Sequence, residues 1–292
     1  RGFVFSVLSA CCFGFLAVFA KLGYSLNMST GNMLFLRFLF GSAIFLIYFI
    51  VTDYRKLFIK KKDLTKAIFA GAVLYFIQSN LFFLGIKNTS VSTAALILYL
   101  YPVFVAGISY FLYKVSLNRI SKIAIFFIVL GSCLIFYDAF TKQNSIVGVL
   151  FALGASLTFS CYLIFVQYVL KTQKPVTFSF YVMVFASFSF YFLAEKPFLI
   201  LSSMEGVILV FCFSFVSTFL AILLLYLAIE KIGSIYVSIF SSIEPSITVL
   251  ASVLVLSENV NILQISGMIV IILSVMMPGL FALRGSFGEK VY

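Results

Sequence analysis

Apolar residues run along the chain in ten blocks, separated by short polar connectors. The blocks cover approximately 3–23, 32–51, 66–86, 92–112, 120–138, 146–170, 177–194, 206–229, 235–256 and 261–283. A bilayer core is crossed by about 20 apolar residues in an α-helix, so each block is predicted to be a membrane-spanning helix. Several connectors carry turn chemistry: Asn27 to Gly31, Asn88 to Ser90, Gly233-Ser234 and Glu258 to Asn261. No connector is long enough to tether a soluble domain. The first block exceeds a signal-peptide core and nine more follow it, so it is read as part of the structure.

The blocks repeat. A shift of 143 lays residues 83–134 on 226–277, with Pro102 on Pro245, Tyr101 on Glu244, Asn118 on Asn261 and Gly131 on Ser274. A shift of 146 lays the first block on the sixth, with Phe13 on Phe159. The expected fold class is therefore all-α and integral to the membrane, ten helices in two five-helix halves, residues 1–142 and 143–292. Five is odd, so the second half enters the bilayer from the opposite side. A direct repeat in sequence thus becomes an inverted repeat in space, the arrangement many secondary transporters use for alternating access.

Composition agrees with this reading and narrows the chemistry. The chain is 63% hydrophobic and 10% charged, more apolar than a soluble domain requires. The net charge of +11 raises nucleic acid as a partner, but the positions of the cations argue against it. Arg1, Arg55, Lys56, Lys60, Lys61, Lys62, Lys66, Lys114, Arg119, Lys122, Lys171, Lys174, Lys231, Arg284 and Lys290 fall on one face of the predicted topology. Lys87, Lys142, Lys196 and Lys21 fall on the other. Cytoplasmic loops carry the excess of Lys and Arg, so both termini are expected in the cytoplasm and the chain in the inner membrane. His is absent, which removes the commonest general base and metal ligand. No phosphate-binding loop, metal-ligand set or protease pair is present, so no enzyme, cofactor or metal is expected. The five cysteines lie in apolar runs without a Cys-x-x-Cys pair and read as small core residues.

Candidate functional residues are the polar groups that the apolar blocks retain. Glu244 and Pro245 stand deep in the ninth block, an acid beside a helix break. A carboxylate is costly in hydrocarbon and marks a ligand or ion pathway, here an amine or a proton. The other reading is a carboxyl that serves backbone groups freed by the proline. Ser241, Glu244 and Thr248 follow helical spacing and are expected on one stripe. Pro102 repeats the break, with Tyr99 and Tyr101 beside it. Gln78, Ser79 and Asn80 form a polar triplet in the third block, Gln78 sharing a face with Tyr75 and Gly71. Ser214, Ser217, Thr218 and Ala221 share a face in the eighth. Such groups line a path or join helices by hydrogen bonds. Lys21 and Gln167 end matched small-residue stripes in the first and sixth blocks, at a polar lip or, for Lys21, snorkelling to the interface. Arg37, a short way into the second block, reads as a snorkelling cation, a partner for an inward acid, or a planar fork for a substrate carboxylate.

This pattern resembles the drug/metabolite transporter superfamily, specifically its EamA-type members. The resemblance rests on Leu36-Arg37-Phe38, Tyr101-Pro102-Val103-Phe104, Glu244-Pro245, Ser257-Glu258 where the family often has Gly-Glu, and Gly267. It extends over essentially the whole chain. Phe13-Gly14 replaces a Trp-Gly signature, and Tyr113-Lys114 replaces Gly-Glu in the first half. The resemblance implies a central cavity between helices one to four and six to nine, with helices five and ten outside. It also implies export of an amino acid or another small metabolite, driven by a proton or other gradient or by facilitated movement. The expected partners are thus a small-molecule substrate, membrane lipid and a coupling proton, with no nucleic acid and a homodimer left open. An uncoupled facilitator, a lipid flippase and a non-transporting membrane scaffold are the competing functions.

Overall fold

The predicted blocks fall on helical residues in a computed structural model that describes residues 1–89, 91–115, 117–141, 145–257 and 259–283. Ser90, Lys142, Glu258, Arg284 and Lys290 lie outside the described residues. In the first half the helices are α1 (Gly2–Gly14), α2 (Leu16–Ser25), α3 (Thr30–Thr52), α4 (Lys61–Ile68), α5 (Phe76–Asn88), α6 (Val91–Leu98), α7 (Tyr101–Tyr113), α8 (Arg119–Ile135) and α9 (Asp138–Thr141). The second half holds α10 (Ile146–Leu170), α11 (Pro175–Tyr191), α12 (Met204–Ser214), α13 (Ala221–Ser241), α14 (Glu244–Leu256) and α15 (Ile262–Leu283). No strand occurs among the described residues. Among the described residues, six helical runs are long and apolar enough to cross a membrane: Gly2–Ser25, Thr30–Thr52, Lys61–Asn88, Ser92–Tyr113, Ile146–Leu170 and Met204–Ser241. Pro175–Tyr191, Glu244–Leu256 and Ile262–Pro278 are apolar but shorter.

The interruptions have local causes. Two runs widen into π-helical turns, at Phe69–Tyr75 between α4 and α5 and at Phe215–Leu220 between α12 and α13. Such turns insert one residue into the hydrogen-bond ladder and are frequent at functional sites. α13 bends at Gly233, whose φ of 75° and ψ of 165° suit only glycine. Asn118 and Asn261 accept backbone N–H bonds from Ser121 and Gln264, at 2.7 and 2.9 Å, and so open α8 and α15. Lys114 and Ser257 close α7 and α14 in the left-handed conformation, both at φ 54°.

Packing follows from small residues. α1 lies against α13 and α14, α10 against α5, α6 and α7, α3 against α11 and α12, and α8 against α15. At the α8–α15 crossing, a Cβ on Gly131 would sit 2.6 Å from Ile271 Cγ1 and 2.9 Å from the Gly267 carbonyl, so the backbones nearly touch. Tyr162, Tyr226, Phe38, Phe45, Phe49, Phe178 and Phe190 fill the interior. Phe111, Leu254, Ile262 and Phe126 point outward, an apolar exterior suited to lipid. The cysteines depart from their expected core positions: Cys161 is exposed and the other four are half-buried. The helix spacing turns them sideways, while serine and alanine take the tightest contacts.

The two ends of the bundle differ in charge. At one end the segment Tyr54–Leu57 is tied to α11, where Thr177 donates to the Lys56 carbonyl and Tyr181 to the Leu57 carbonyl, at 3.0 and 2.6 Å. Asp63 there pairs with Lys66 at 3.0 Å and accepts from Gln173 at 2.6 Å. Lys171 lies 5.9 Å from the Tyr113 ring centre, and Gly2 packs against Lys231. At the other end Asn32 exchanges two hydrogen bonds with the Glu195 backbone, both 2.8 Å, and Gly148 packs against Asn88. The connectors that carry most of the cations therefore gather together, away from Lys87 and Lys196.

Candidate functional site

Two helix breaks meet the polar residues at the middle of the bundle. The helical ladder stops after Leu98 and resumes at Tyr101, with Pro102 in the new first turn; it stops again after Ser241 and resumes at Glu244, with Pro245 in the new first turn. Proline supplies no N–H, so the preceding turn cannot complete its ladder. Hydroxyls from neighbouring helices bond to carbonyls around the breaks, among them Leu98, the one that Pro102 leaves without an N–H partner. Ser156 and Ser160 on α10 donate to the carbonyls of Leu98 and Tyr101, at 2.9 and 3.2 Å. Ser6 on α1 donates to the Val237 carbonyl at 3.2 Å and shares a hydrogen bond with Ser241 at 3.1 Å. Thus α10 supports the first break and α1 the second.

Glu244 opens α14 and stays part-exposed, while Pro245 and Ser246 behind it are buried. The Tyr99 hydroxyl donates to Glu244 Oε1 at 3.2 Å. Thr248, one turn on, lies near the same hydroxyl. Tyr99 is itself fixed by stacking on Phe136, with centroids 5.8 Å apart. Tyr101 donates to the Ser238 carbonyl at 3.3 Å, which brings the aromatic pair of the first break onto the second. Among the described residues no Lys or Arg pairs with Glu244. A hydrogen bond to a charged group contributes about 1.5–3 kcal/mol. That is comparable with the roughly 2.5–3.5 kcal/mol cost of an acid at a membrane helix centre. One phenol therefore supports this carboxyl without an ion pair. Ser241 does not share its stripe, as helical spacing predicted. The turn at Ser242 and Ile243 rotates α14 relative to α13, so Ser241 faces α1 while Glu244 faces Tyr99.

Arg37 requires a second correction. It is 3% exposed, so it does not snorkel to the interface. Its Nε donates to Thr218 Oγ1 at 3.1 Å, and its Nη2 reaches the Tyr75 hydroxyl and the Ser217 carbonyl, both at 3.4 Å. Tyr75 ends one widened turn, and Ser217 and Thr218 lie within the other. The guanidinium thus bridges them. The Phe38 and Phe213 rings lie 4.7 and 5.2 Å from its carbon. Each such contact contributes about 0.5–2 kcal/mol when desolvated. Among the described residues no carboxylate pairs with Arg37, so the expected inward acid is not its partner. Ser217 also donates to the Cys12 carbonyl at 2.7 Å, and the backbone of Thr248 packs on Gly14. The widened turn that holds Arg37 and the helix that carries Glu244 therefore meet the same turn of α1.

The remaining candidates have more local partners. Gln78 is buried and accepts from the Ser79 hydroxyl at 3.3 Å. Asn80 donates back to the Phe76 carbonyl of its own helix at 2.7 Å. Lys21 is exposed on α2. Gln167 accepts from both the N–H and the hydroxyl of Ser234, each at 2.6 Å, and so holds the bend at Gly233. Sequence reasoning passed over Tyr162 and Tyr226, whose buried hydroxyls share a hydrogen bond of 2.5 Å. Tyr162 packs edge-on to Tyr75, centroids 5.4 Å apart, which places this pair beside the Arg37 cluster. Sixteen tyrosines scattered through apolar blocks offered no signal for this pair. Ser6 was equally silent, because serine is common along these helices.

The EamA-like transporter family matches residues 1–137 and again 146–279. The chain belongs to that family. Its relatives include a protein described as "Uncharacterized transporter YcbK" from Bacillus subtilis (strain 168), 23% identical over 284 residues, covering 91% of this chain and 88% of the relative. A second B. subtilis protein, "Uncharacterized transporter YyaM", is 25% identical and covers 82% of this chain and 81% of itself. An "Uncharacterized transporter" of Clostridium kluyveri is 24% identical, covering 94% and 91%. A solved crystal structure shares the fold with a TM-score of 0.79 at 14% identity, covering 98% of both chains. With its apolar helices, this EamA member is a multi-pass membrane protein, and the family function is transport of small molecules. Family and relatives point away from an enzyme.

Proposed function

We propose that this chain is a secondary transporter that exports a small metabolite, first of all an amino acid, by alternating access. The observation that carries the proposal is the part-exposed Glu244 at a helix break, held by one Tyr99 hydroxyl from the other break. An acid with a single neutral partner can take up and release a proton or an ammonium group without dismantling a salt bridge. Broken helices at such a site allow the flanking halves to reorient around it.

The proposal includes the ten-helix arrangement with inverted halves, residues 1–142 and 143–292. Paired local features support it: the widened turns at Phe69–Tyr75 and Phe215–Leu220, the breaks before Pro102 and Pro245, the left-handed caps Lys114 and Ser257, and the Asn118 and Asn261 caps. The charge difference between the ends supports an inner-membrane protein with both termini cytoplasmic. Tyr99 and Glu244 form the centre of the path in this proposal. Gln78, Asn80, Ser217, Ser241 and Lys21 are further lining groups, and Pro102 and Pro245 supply the hinge points.

Flux of pooled labelled amino acids into proteoliposomes, with and without an imposed pH gradient, tests the reading in wild type and Glu244→Gln. Gradient-driven flux in wild type that is lost in the variant is the expected result. Equal, gradient-independent flux in both would make the protein a facilitator with a structural Glu244. Absence of flux in both would overturn the amino-acid assignment and move the search to nucleotides, sugars, amines and lipids.

A further inference from the structure

We propose that Arg37 holds the carboxylate of the carried molecule, in a cradle formed by the two widened helical turns. This deepens the transport reading above and rests on it. The guanidinium is a permanent charge at the centre of the bundle, yet its described partners are a threonine hydroxyl, a tyrosine hydroxyl and a backbone carbonyl. All are neutral. Asp63 pairs with Lys66 and Gln173, and Glu244 accepts from Tyr99, so neither of these acids neutralises the guanidinium.

The bonding of the guanidinium is also incomplete. Arginine offers five N–H donors in a planar fork. Nε is well held by Thr218 at 3.1 Å, whereas both Nη2 contacts are long at 3.4 Å. Nη1 donates to none of the described residues. The well-held Nε and the two flanking rings fix the plane of the group, and the Nη edge remains for a planar oxyanion. Two parallel N–H bonds to a carboxylate are the arrangement that this fork satisfies best.

The surroundings add a mechanical argument. A widened turn carries one residue more than the α-helix on either side, and such turns are frequent at functional sites. Arg37 touches one such turn through Tyr75 and the other through Ser217 and Thr218. An anion bound on the Nη edge would take over the long contacts and loosen the bridge to the Ser217 carbonyl. Occupancy would thus be sensed by both turns together. For an amino acid, Glu244, on the helix that packs on the same turn of α1, is the acid that would receive its ammonium group.

Thermal unfolding of the purified chain in detergent tests the proposal, with four sets of probes at matched concentration. These are neutral 2-amino acids, their carboxamides, short carboxylic acids without an amino group, and sugar phosphates. Binding to the folded state raises the unfolding temperature. The expected result is a rise of several degrees with free carboxylates and none with the carboxamides. Arg37→Lys should keep a smaller rise, because charge survives and the fork does not; Arg37→Gln should lose it. The wild-type comparison of acid with amide stands even where a variant fails to fold. Equal shifts from acids and amides, or an Arg37→Gln response equal to wild type, would leave Arg37 a structural bridge only. Shifts from phosphates alone, or from no probe, would also overturn the carboxylate assignment. Proteoliposome flux of the same probes separates the two failures. Flux of neutral or cationic solutes without any carboxylate response removes this inference and leaves transport standing. Absence of both removes the reading on which it rests.

Discussion

Arg37 and Glu244 are a cation and an acid on elements that meet one turn of α1, and each is held by neutral groups. For Arg37 the best-placed of these is Thr218. Thr218→Val removes the acceptor and keeps the shape, and is expected to destabilise the fold by about 1–3 kcal/mol, read as a lower unfolding temperature. Tyr99→Phe removes the donor to Glu244 but keeps the stack on Phe136, so folding should survive while the coupling between gradient and flux weakens. Unchanged coupling would show that Tyr99 only fills space. These residues were legible in sequence to different degrees. An acid beside proline in an apolar block announces itself. The depth of Arg37 did not, because a long side chain near a helix end reads as snorkelling until the partners on another helix are known.

Helix breaks and caps decide where those side chains point. The prolines located both breaks from sequence, but the intervening turn rotates α14 by an amount that spacing could not give. Hence Ser241 left the predicted stripe. The widened turns were not legible at all, since π-helical register depends on packing against neighbours rather than on composition. Two backbone substitutions should act in opposite directions. Gly233→Ala forces a side chain into φ 75°, ψ 165° and should cost about 1–3 kcal/mol. Ser257→Gly relieves a left-handed non-glycine cap at φ 54° and should stabilise by about 1 kcal/mol. Unfolding temperatures of the two variants check both signs. Gly131→Leu is expected to separate α8 from α15 and to lower the yield of folded protein, since its Cβ alone would meet Ile271 and the Gly267 carbonyl.

At the scale of the whole molecule, the apolar blocks gave the helices and the cations gave the two ends. The tying of Tyr54–Leu57 to α11 depends on hydroxyls that sequence could not pair. The central claim is that the two broken helices enclose a path opened alternately to either side. Thr248 is the position to probe, one turn beyond Glu244 and beside Tyr99. The most direct measurement is the labelling of Thr248→Cys, in a chain whose five native cysteines are replaced, by a membrane-impermeant maleimide added to one face of oriented vesicles at a time. Labelling from both faces, slowed from both by a transported amino acid, is the expected result. Labelling from one face only, or from neither, would contradict alternating access through this site.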